Sequence, residues 1–323
     1  VQVVVTGASG LLGRKLVERL VRQRVLGDQP VSDLRLVDVV APPAVDSGGI
    51  PLETVVADLA DEGVAEAAVA GGPHVIFHLA AVVSAEAEAN LEKGYRVNVE
   101  ASRRLFDAVR RFAVEHAPRV VFSSSIAVFG PPFPEVIGDR QPLTPTTSYG
   151  VEKAIVELLL DDYTRRGVLD GVGVRLPTIC VRPGAPNLAA SGFFSSIIRE
   201  PLNGRTAILP VSDDVRHWFA SPRAAVGFLM HAATLPSRQV GWPRSLTMPG
   251  LSATVATEID ALRRIAGDET VSLIRREPDE ALARIVAGWP GRFDPRRALA
   301  LGFKAETGFD ELIRVYIDEE LRI

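Results

Sequence analysis

Cysteine is almost absent from this sequence: Cys180 is the only one in 323 residues. An intramolecular disulfide framework is excluded, and the expectation is a reducing, cytoplasmic setting. Lysine is nearly as scarce. Lys15, Lys93, Lys153 and Lys304 stand against 32 arginines among the 36 basic residues, so a lysine at a chemically meaningful position carries information. With 40 acidic side chains the net charge is −4, which offers no basic field, and no nucleic-acid partner is expected. No apolar run approaches the roughly 18 residues of a membrane span, so no membrane partner is expected. The first residues read as a strand, and the expectation is a chain without a secretory leader. What is present is 47% hydrophobic residues, enough for one large core or two smaller ones.

Apolar runs and helical spacings alternate through the first half. Val1 to Val5, Leu34 to Val40, Thr54 to Ala57, Val75 to Leu79 and Val120 to Phe122 read as strands. Between them, Leu11, Leu12, Leu16, Val17 and Leu20, then about 61–70 and 97–114, repeat apolar residues at helical spacing. Strands alternating with helices predict an α/β fold with a doubly wound parallel sheet, a Rossmann domain. After Leu176 the rhythm changes, because Pro177, Pro183, Pro186, Pro201 and Pro210 cut the chain into short pieces suited to loops. Arg216 to Leu235 reads as helical again, Leu251 to Ala266 as a helix capped by Ser252, and Ala298 to Leu321 as two short helices. The expected division is a nucleotide domain of 1–176 plus about 213–236, and a smaller discontinuous α/β substrate lobe of about 177–212 plus 237–323.

Thr6-Gly7-Ala8-Ser9-Gly10-Leu11-Leu12-Gly13 lies at the first strand-to-helix turn. Glycines there permit a tight turn and close approach of a pyrophosphate to the helix N-terminus. Asp38, 25 positions after Gly13, closes the second strand, where a carboxylate accepts ribose hydroxyls and repels a 2′-phosphate. That favours NAD over NADP. Asp58 and Leu59 are candidates to border the adenine. Tyr149 and Lys153 are four apart, on one face of a helix. A phenol titrates near ~10, too high for a base at neutral pH, and an ammonium one turn away lowers that value. Ser125, ending the fifth strand, is a candidate to hold a substrate oxygen.

Together with His78-Leu79-Ala80-Ala81, Asn98 and Ser123-Ser124-Ser125-x-x-Val128-Phe129-Gly130, these motifs resemble the extended short-chain dehydrogenases/reductases over essentially the whole chain. The resemblance implies Tyr149 as general base, with Lys153 lowering its pKa and holding the nicotinamide ribose. It implies Ser125 as the residue orienting the reacting oxygen. Leu79, Ala80 and Ala81 would line the cofactor, with Pro177 a further contact, and Asn98 would fix the backbone and a proton-relay water.

Departures from the family pattern narrow the chemistry. Dehydratases of the family carry Thr and two acids where this chain has Ser125, Ile126 and Ala127, so dehydration is not expected. The 4-epimerases carry an Asn where this chain has Thr178, after Arg175-Leu176-Pro177. Arg182-Pro183-Gly184-Ala185-Pro186-Asn187, Ser191-Gly192-Phe193-Phe194, Arg199-Glu200-Pro201-Leu202 and Arg216-His217-Trp218-Phe219-Ala220-Ser221-Pro222 resemble instead a subgroup oxidising C2 of a four-carbon sugar acid, D-erythronate, to the 2-oxo acid. Arginine forks suit such a small anionic partner. Arg182 and Arg216 are the candidates for its carboxylate, and Ser84 is a further substrate contact. The alternatives are a nucleotide-sugar 4-epimerase that keeps NAD bound and a non-catalytic NAD-sensing regulator.

His74 and His78 fall on a strand, where their spacing makes no metal pair, and no metal site is expected. Trp218, Trp242 and Trp289 read as packing residues, and the Arg103-Arg104 and Arg110-Arg111 pairs as a solvated helix face. Helices near 96–115 and 149–166 are the expected surface of a homodimer.

Overall fold

The apolar runs of the first half become neighbours in one parallel sheet. The computed structural model describes residues 1–112, 116–184 and 190–321. Its large sheet contains β1 (Gln2–Thr6), β2 (Asp33–Asp38), β3 (Leu52–Val56), β4 (Val75–His78), β5 (Arg119–Ser125), β6 (Asp170–Leu176) and β9 (Ser245–Thr247). Their spatial order is β3-β2-β1-β4-β5-β6-β9, and every pairing is parallel. The chain order reverses between β1 and β4, the switch point at which open α/β sheets form a ligand crevice. The fold class read from the sequence is the one observed.

Alternating side chains supply both faces of the sheet. Val3, Val5, Phe77 and Val121 pack with Leu16, Val17 and Leu20 of α1 (Leu11–Gln23) and with Val226 and Leu229 of α7 (Pro222–Thr234). Val4, Ile76, Val120 and Phe122 pack on the other side, against α2 (Val64–Val69), α4 (Ala101–Phe112) and α5 (Ser148–Arg165). A separate core brings together Phe194, Ile197 and Ile198 of α6 (Gly192–Leu202) and Ile259 and Leu262 of α8 (Val255–Val271). Next to it a small sheet joins β7 (Thr178–Ile179), β8 (Arg216–Ala220) and β10 (Leu251–Thr254).

Four expectations change. Arg216–Ala220 is a strand, and the helix begins at Pro222, with the Ser221 hydroxyl accepting from the Ala224 N–H. The Ser-Pro pair is a start signal that the continuous apolar pattern obscured. Leu251–Thr254 is also a strand. Thr254, not Ser252, caps α8, while the Ser252 hydroxyl donates to Gly291 O at 2.7 Å. Pro201 does not break the chain but sits in the last turn of α6. Finally, β9 pairs with β6 in the large sheet although it lies in the segment assigned to the substrate lobe, and β8 joins the small sheet. A three-residue strand carries too little periodicity to be placed from sequence. Ala185, Pro186 and Asn187, and positions 113–114 of the expected helix, lie outside the described residues.

Glu258, in the first turn of α8, is fully buried, and neither carboxylate oxygen has a partner among the described residues. Burial holds its pKa well above the usual carboxylate range. A raised folded pKa means that the neutral acid's contribution is complete below the unfolded value and lost as pH rises through the folded one. Glu258→Gln should therefore melt higher than the parent at pH 8, by about 1–3 kcal/mol of stability, with the gap closing toward pH 5. Thermal unfolding at the two pH values checks this.

Candidate active site

Because the strands are parallel, Thr6, Asp38, His78, Ser125 and Leu176 all end on one edge of the sheet. At its centre the Gly7 turn crosses the end of β4. Gly7 has φ +74°, and a Cβ there would lie 2.5 Å from Ala80 N and 2.6 Å from Leu79 C. A Cβ on Gly13 would strike Gly7 O and the Ala8 backbone, whereas one on Gly10 would meet only Gly7 O at 3.4 Å. Gly10 precedes α1 and gives it no side-chain cap, leaving first-turn N–H groups available to an anion. Leu11 and Leu12, on that turn, are half-buried.

Asp38 closes β2 with its carboxylate held by two backbone donors, Ser9 N at 2.8 Å and Val40 N at 3.2 Å. The Ser9 hydroxyl donates to Val40 O. Further along the edge, Asp58 accepts from Ala60 N at 2.8 Å and pairs with Arg96 at 3.2 Å, and Leu59 is buried. The half-exposed Leu79 and Ala80 and buried Pro177 complete the edge. A tight glycine turn, an uncapped helix start and an oriented carboxylate at the second strand fit a dinucleotide.

Thr147 caps α5, its hydroxyl accepting from Gly150 N, and so fixes the first turn that carries Tyr149 and Lys153. The Ser125 hydroxyl accepts from Ala127 N at 3.1 Å and lies near enough to the Tyr149 phenol to favour its ionised form. Lys153 is buried, with Nζ donating to Ser123 O at 2.9 Å and lying 5.5 Å from the Tyr149 ring centre. Burial, with the Glu152 charge adding to it, pushes the phenol up to about 12, against the Ser125 hydroxyl and the nearby Arg182 charge, both of which favour the phenolate. Burial also draws Lys153 down to about 8, opposed by Glu152 and Glu157. The sequence reading assigned the lowering of the phenol to Lys153. Here the groups that favour the phenolate are Ser125 and Arg182, and burial outweighs both.

Arg182 is the feature whose environment the sequence could not supply. Its Nε donates to Ile179 O at 2.9 Å and one Nη to Ser191 Oγ at 2.8 Å. It has no carboxylate partner among the described residues, and burial lowers its pKa while the neighbouring Tyr149 and Cys180 oppose that shift. Arg216 is not brought to this group. It is exposed, donates to Ser252 Oγ at 3.3 Å, and lines a cleft of about 230 Å³ with Glu135, Trp289 and Arg292. Strand alternation turns its neighbour His217 inward instead, where Nε2 meets Thr178 Oγ1 at 2.6 Å. Ser84 opens α3 (Ser84–Ala89) half-buried, with no hydrogen bond to its hydroxyl among the described residues.

Beneath the edge runs a buried polar chain. His78 Nδ1 lies 2.7 Å from Thr6 Oγ1 and Nε2 lies 2.8 Å from Ser102 Oγ. Ser102 donates its proton to Asn98 O, so His78 Nε2–H must be the donor to Ser102 and Nδ1 the acceptor from Thr6. Burial, and secondarily the Lys153 charge, pull His78 down to about 3, so it is neutral. Asn98 is committed as well. Its Oδ1 accepts from Val82 N at 2.9 Å, and its Nδ2 donates to Val82 O at 3.2 Å and to Glu152 Oε2 at 2.6 Å. Both Nδ2 protons are used, leaving none to give to a relay water. The Thr6–His78 pair was readable in principle from strand register, in which the two residues are direct neighbours.

The glycine geometry separates folding from binding. Gly13→Ala should cost both stability, about 1–3 kcal/mol, and NAD affinity. Gly10→Ala should melt within about 0.5 kcal/mol of the parent while NAD binding weakens at least about tenfold. Thermal melts alongside NAD titrations by intrinsic fluorescence read both quantities.

Residues 3–233 match the NAD dependent epimerase/dehydratase family. D-erythronate dehydrogenase of Cupriavidus necator is 46% identical over 321 residues, 98% of each chain. D-erythronate dehydrogenase of Haemophilus influenzae is 40% identical over 330 residues, 99% of this chain and 100% of that one. A crystal structure from Agrobacterium tumefaciens, named a nucleoside-diphosphate-sugar epimerase, superposes with a TM-score of 0.96 at 53% identity, covering 99% of this chain and 94% of that one. The chain belongs to the NAD-dependent epimerase/dehydratase family and is an NAD-dependent enzyme.

Proposed function

We propose that this protein oxidises the C2 hydroxyl of a four-carbon sugar acid, D-erythronate in the first instance, to the 2-oxo acid with reduction of NAD. The observation that carries the reading is the Arg182 guanidinium, held by Ile179 O and Ser191 Oγ, electrostatically coupled to Tyr149 and without a carboxylate of its own among the described residues. A partly desolvated guanidinium lacking an acid is stabilised by an anionic ligand, and a carboxylate accepts its fork with two parallel bonds. The two relatives named D-erythronate dehydrogenase support the same substrate class.

In this reading Arg182 grips the carboxylate at C1, which sets C2 near the Tyr149 phenol. Ser125 donates to the C2 oxygen and Tyr149, as phenolate, accepts its proton. Lys153 holds the ribose next to the nicotinamide. The adenosine end rests on Asp38, with Asp58 and Leu59 beside the adenine. Ser9, Leu11, Leu12, Leu79, Ala80, Ala81, Asn98 and Pro177 form or support the rest of the cofactor bed, and Ser84 contacts the substrate. When bound, NAD would supply the acceptor for the hydride lost from C2 and a positive charge that favours the phenolate. The C2–O bond becomes a carbonyl as the proton and hydride depart.

A homodimer through α4 and α5 and a cytoplasmic location are part of the same proposal. Leu158 on α5 is 65% exposed, an apolar residue a partner helix would cover. No helix among the described residues is long and apolar enough to cross a membrane.

The Agrobacterium relative's name keeps an epimerase as the second reading. With NAD added, NADH should accumulate on D-erythronate within a panel of four-carbon sugar acids, with no interconversion of UDP-hexoses. Interconversion without net NADH would replace this reading by the epimerase. Tyr149→Phe should lower kcat by about 10²–10⁴-fold and leave NAD affinity nearly unchanged. Arg182→Leu should raise KM for the acid at least about tenfold; an unaltered KM would remove Arg182 from the substrate site.

A further inference from the structure

Glu152, inside the Tyr149–Lys153 turn, has no part in the chemistry described so far. It is completely buried. Oε2 accepts from Asn98 Nδ2 at 2.6 Å, and Oε1 has no partner among the described residues. The space for this carboxylate exists because Gly94, in the short helix Leu91–Gly94, has no side chain: a Cβ there would collide with Oε1. A buried acid satisfied on one oxygen only is costly unless a charge balances it. The next residue in the chain is buried Lys153, whose Nζ has one hydrogen bond among the described residues, to the Ser123 carbonyl.

We propose that Glu152 is a positioning residue for the catalytic pair. Its carboxylate keeps the Lys153 side chain charged and, through Asn98, ties the loop carrying Ala80, Ala81 and Ser84 to the catalytic helix. Lys153 must be an ammonium to grip ribose hydroxyls, and burial works against that charge. The carboxylate on the neighbouring residue opposes that loss. The mechanical link is equally direct. Asn98 pairs with both the N–H and the C=O of Val82, two residues before Ser84, and its remaining amide proton goes to Glu152.

The charged and titratable groups around Glu152 are few. On its own helix are Tyr149, Lys153 and Glu157, the last bonded to Ser124 and to Arg175. From α3 comes Glu88, whose carboxylate accepts from Ser148 N and which, with burial, raises the Glu152 pKa against Asn98 and Lys153. His78 beneath the pair is neutral. Removing the Glu152 charge leaves Lys153 with Glu157 alone, already engaged by Arg175. The inference rests on the proposed roles of Tyr149 and Lys153.

Four lysines make a direct test possible. In protein labelled with ¹³Cε-lysine, the signal absent from Lys153→Met is that of Lys153, and its pH titration gives the midpoint. In the parent it should lie near about 8. In Glu152→Gln, which keeps an acceptor for Asn98 without the charge, it should fall by about one unit at an unchanged melting temperature. Gly94→Ala, which displaces the carboxylate, should lower it too and serves if Glu152→Gln does not fold. An unchanged midpoint in whichever variant folds would overturn the proposal. The titration needs neither substrate nor turnover. A protein inert toward sugar acids but with this Lys153 response would refute the proposed activity and leave the positioning role standing.

Discussion

The close approach of the Gly7 turn to the Leu79–Ala80 backbone is the constraint on which the rest of the site depends. A side chain at Gly7 would separate the ends of β1 and β4, and one at Gly13 would drive α1 off the Gly7–Ala8 turn. Separation would pull apart Thr6 and His78, whose 2.7 Å contact begins the polar chain to Ser102 and Asn98. One steric allowance thus sets the crevice at the switch point and aligns the buried hydrogen bonds beneath it. Those bonds have few alternatives, since a buried polar group that loses its partner has no water to replace it.

Electrostatics adds a second layer. Tyr149, Lys153, Arg182 and Glu152 converge where burial penalises each charge, and the shifts run in opposite directions, phenol upward and lysine downward. Neighbours decide how far each shift goes. Ser125 and Arg182 favour the phenolate, while Glu152 and Glu157 favour the ammonium. The Glu157–Arg175 pair, with contacts of 2.9 and 2.7 Å and both residues buried, joins α5 to β6 and is tied through Ser124 to β5. It fixes the helix from which Tyr149 and Lys153 project.

Much of the first half was legible in the sequence because its signals are local. Val3 to Val5 and Ile76 to Phe77 alternate between two covered faces, so continuous apolar runs mark strands. Thr6 to Gly13 marks its turn by spacing, and Tyr149 and Lys153 share a face by helical period. Beyond Leu176 the signals weaken. Ser245–Thr247 is too short to show a period, and Arg216–Ala220 merges with the apolar pattern of the helix that follows it. Asn98 looked available to a water, but its bonds to Val82 and Glu152 depend on contacts across 16 and 54 residues.

By itself the sequence determined the parallel Rossmann architecture, the glycine turn after β1 and the Tyr149–Lys153 spacing, each a matter of neighbouring residues and backbone period. Its scarcity of lysine pointed to Lys153, and its wealth of arginine left every guanidinium equivalent. Only the tertiary structure separated them. Arg182 comes to Tyr149 without an acid of its own among the described residues, while Arg216 faces solvent. The reason is physical: a charge acquires meaning from its burial and from the partners that reach it, and both are set by chain segments distant in sequence.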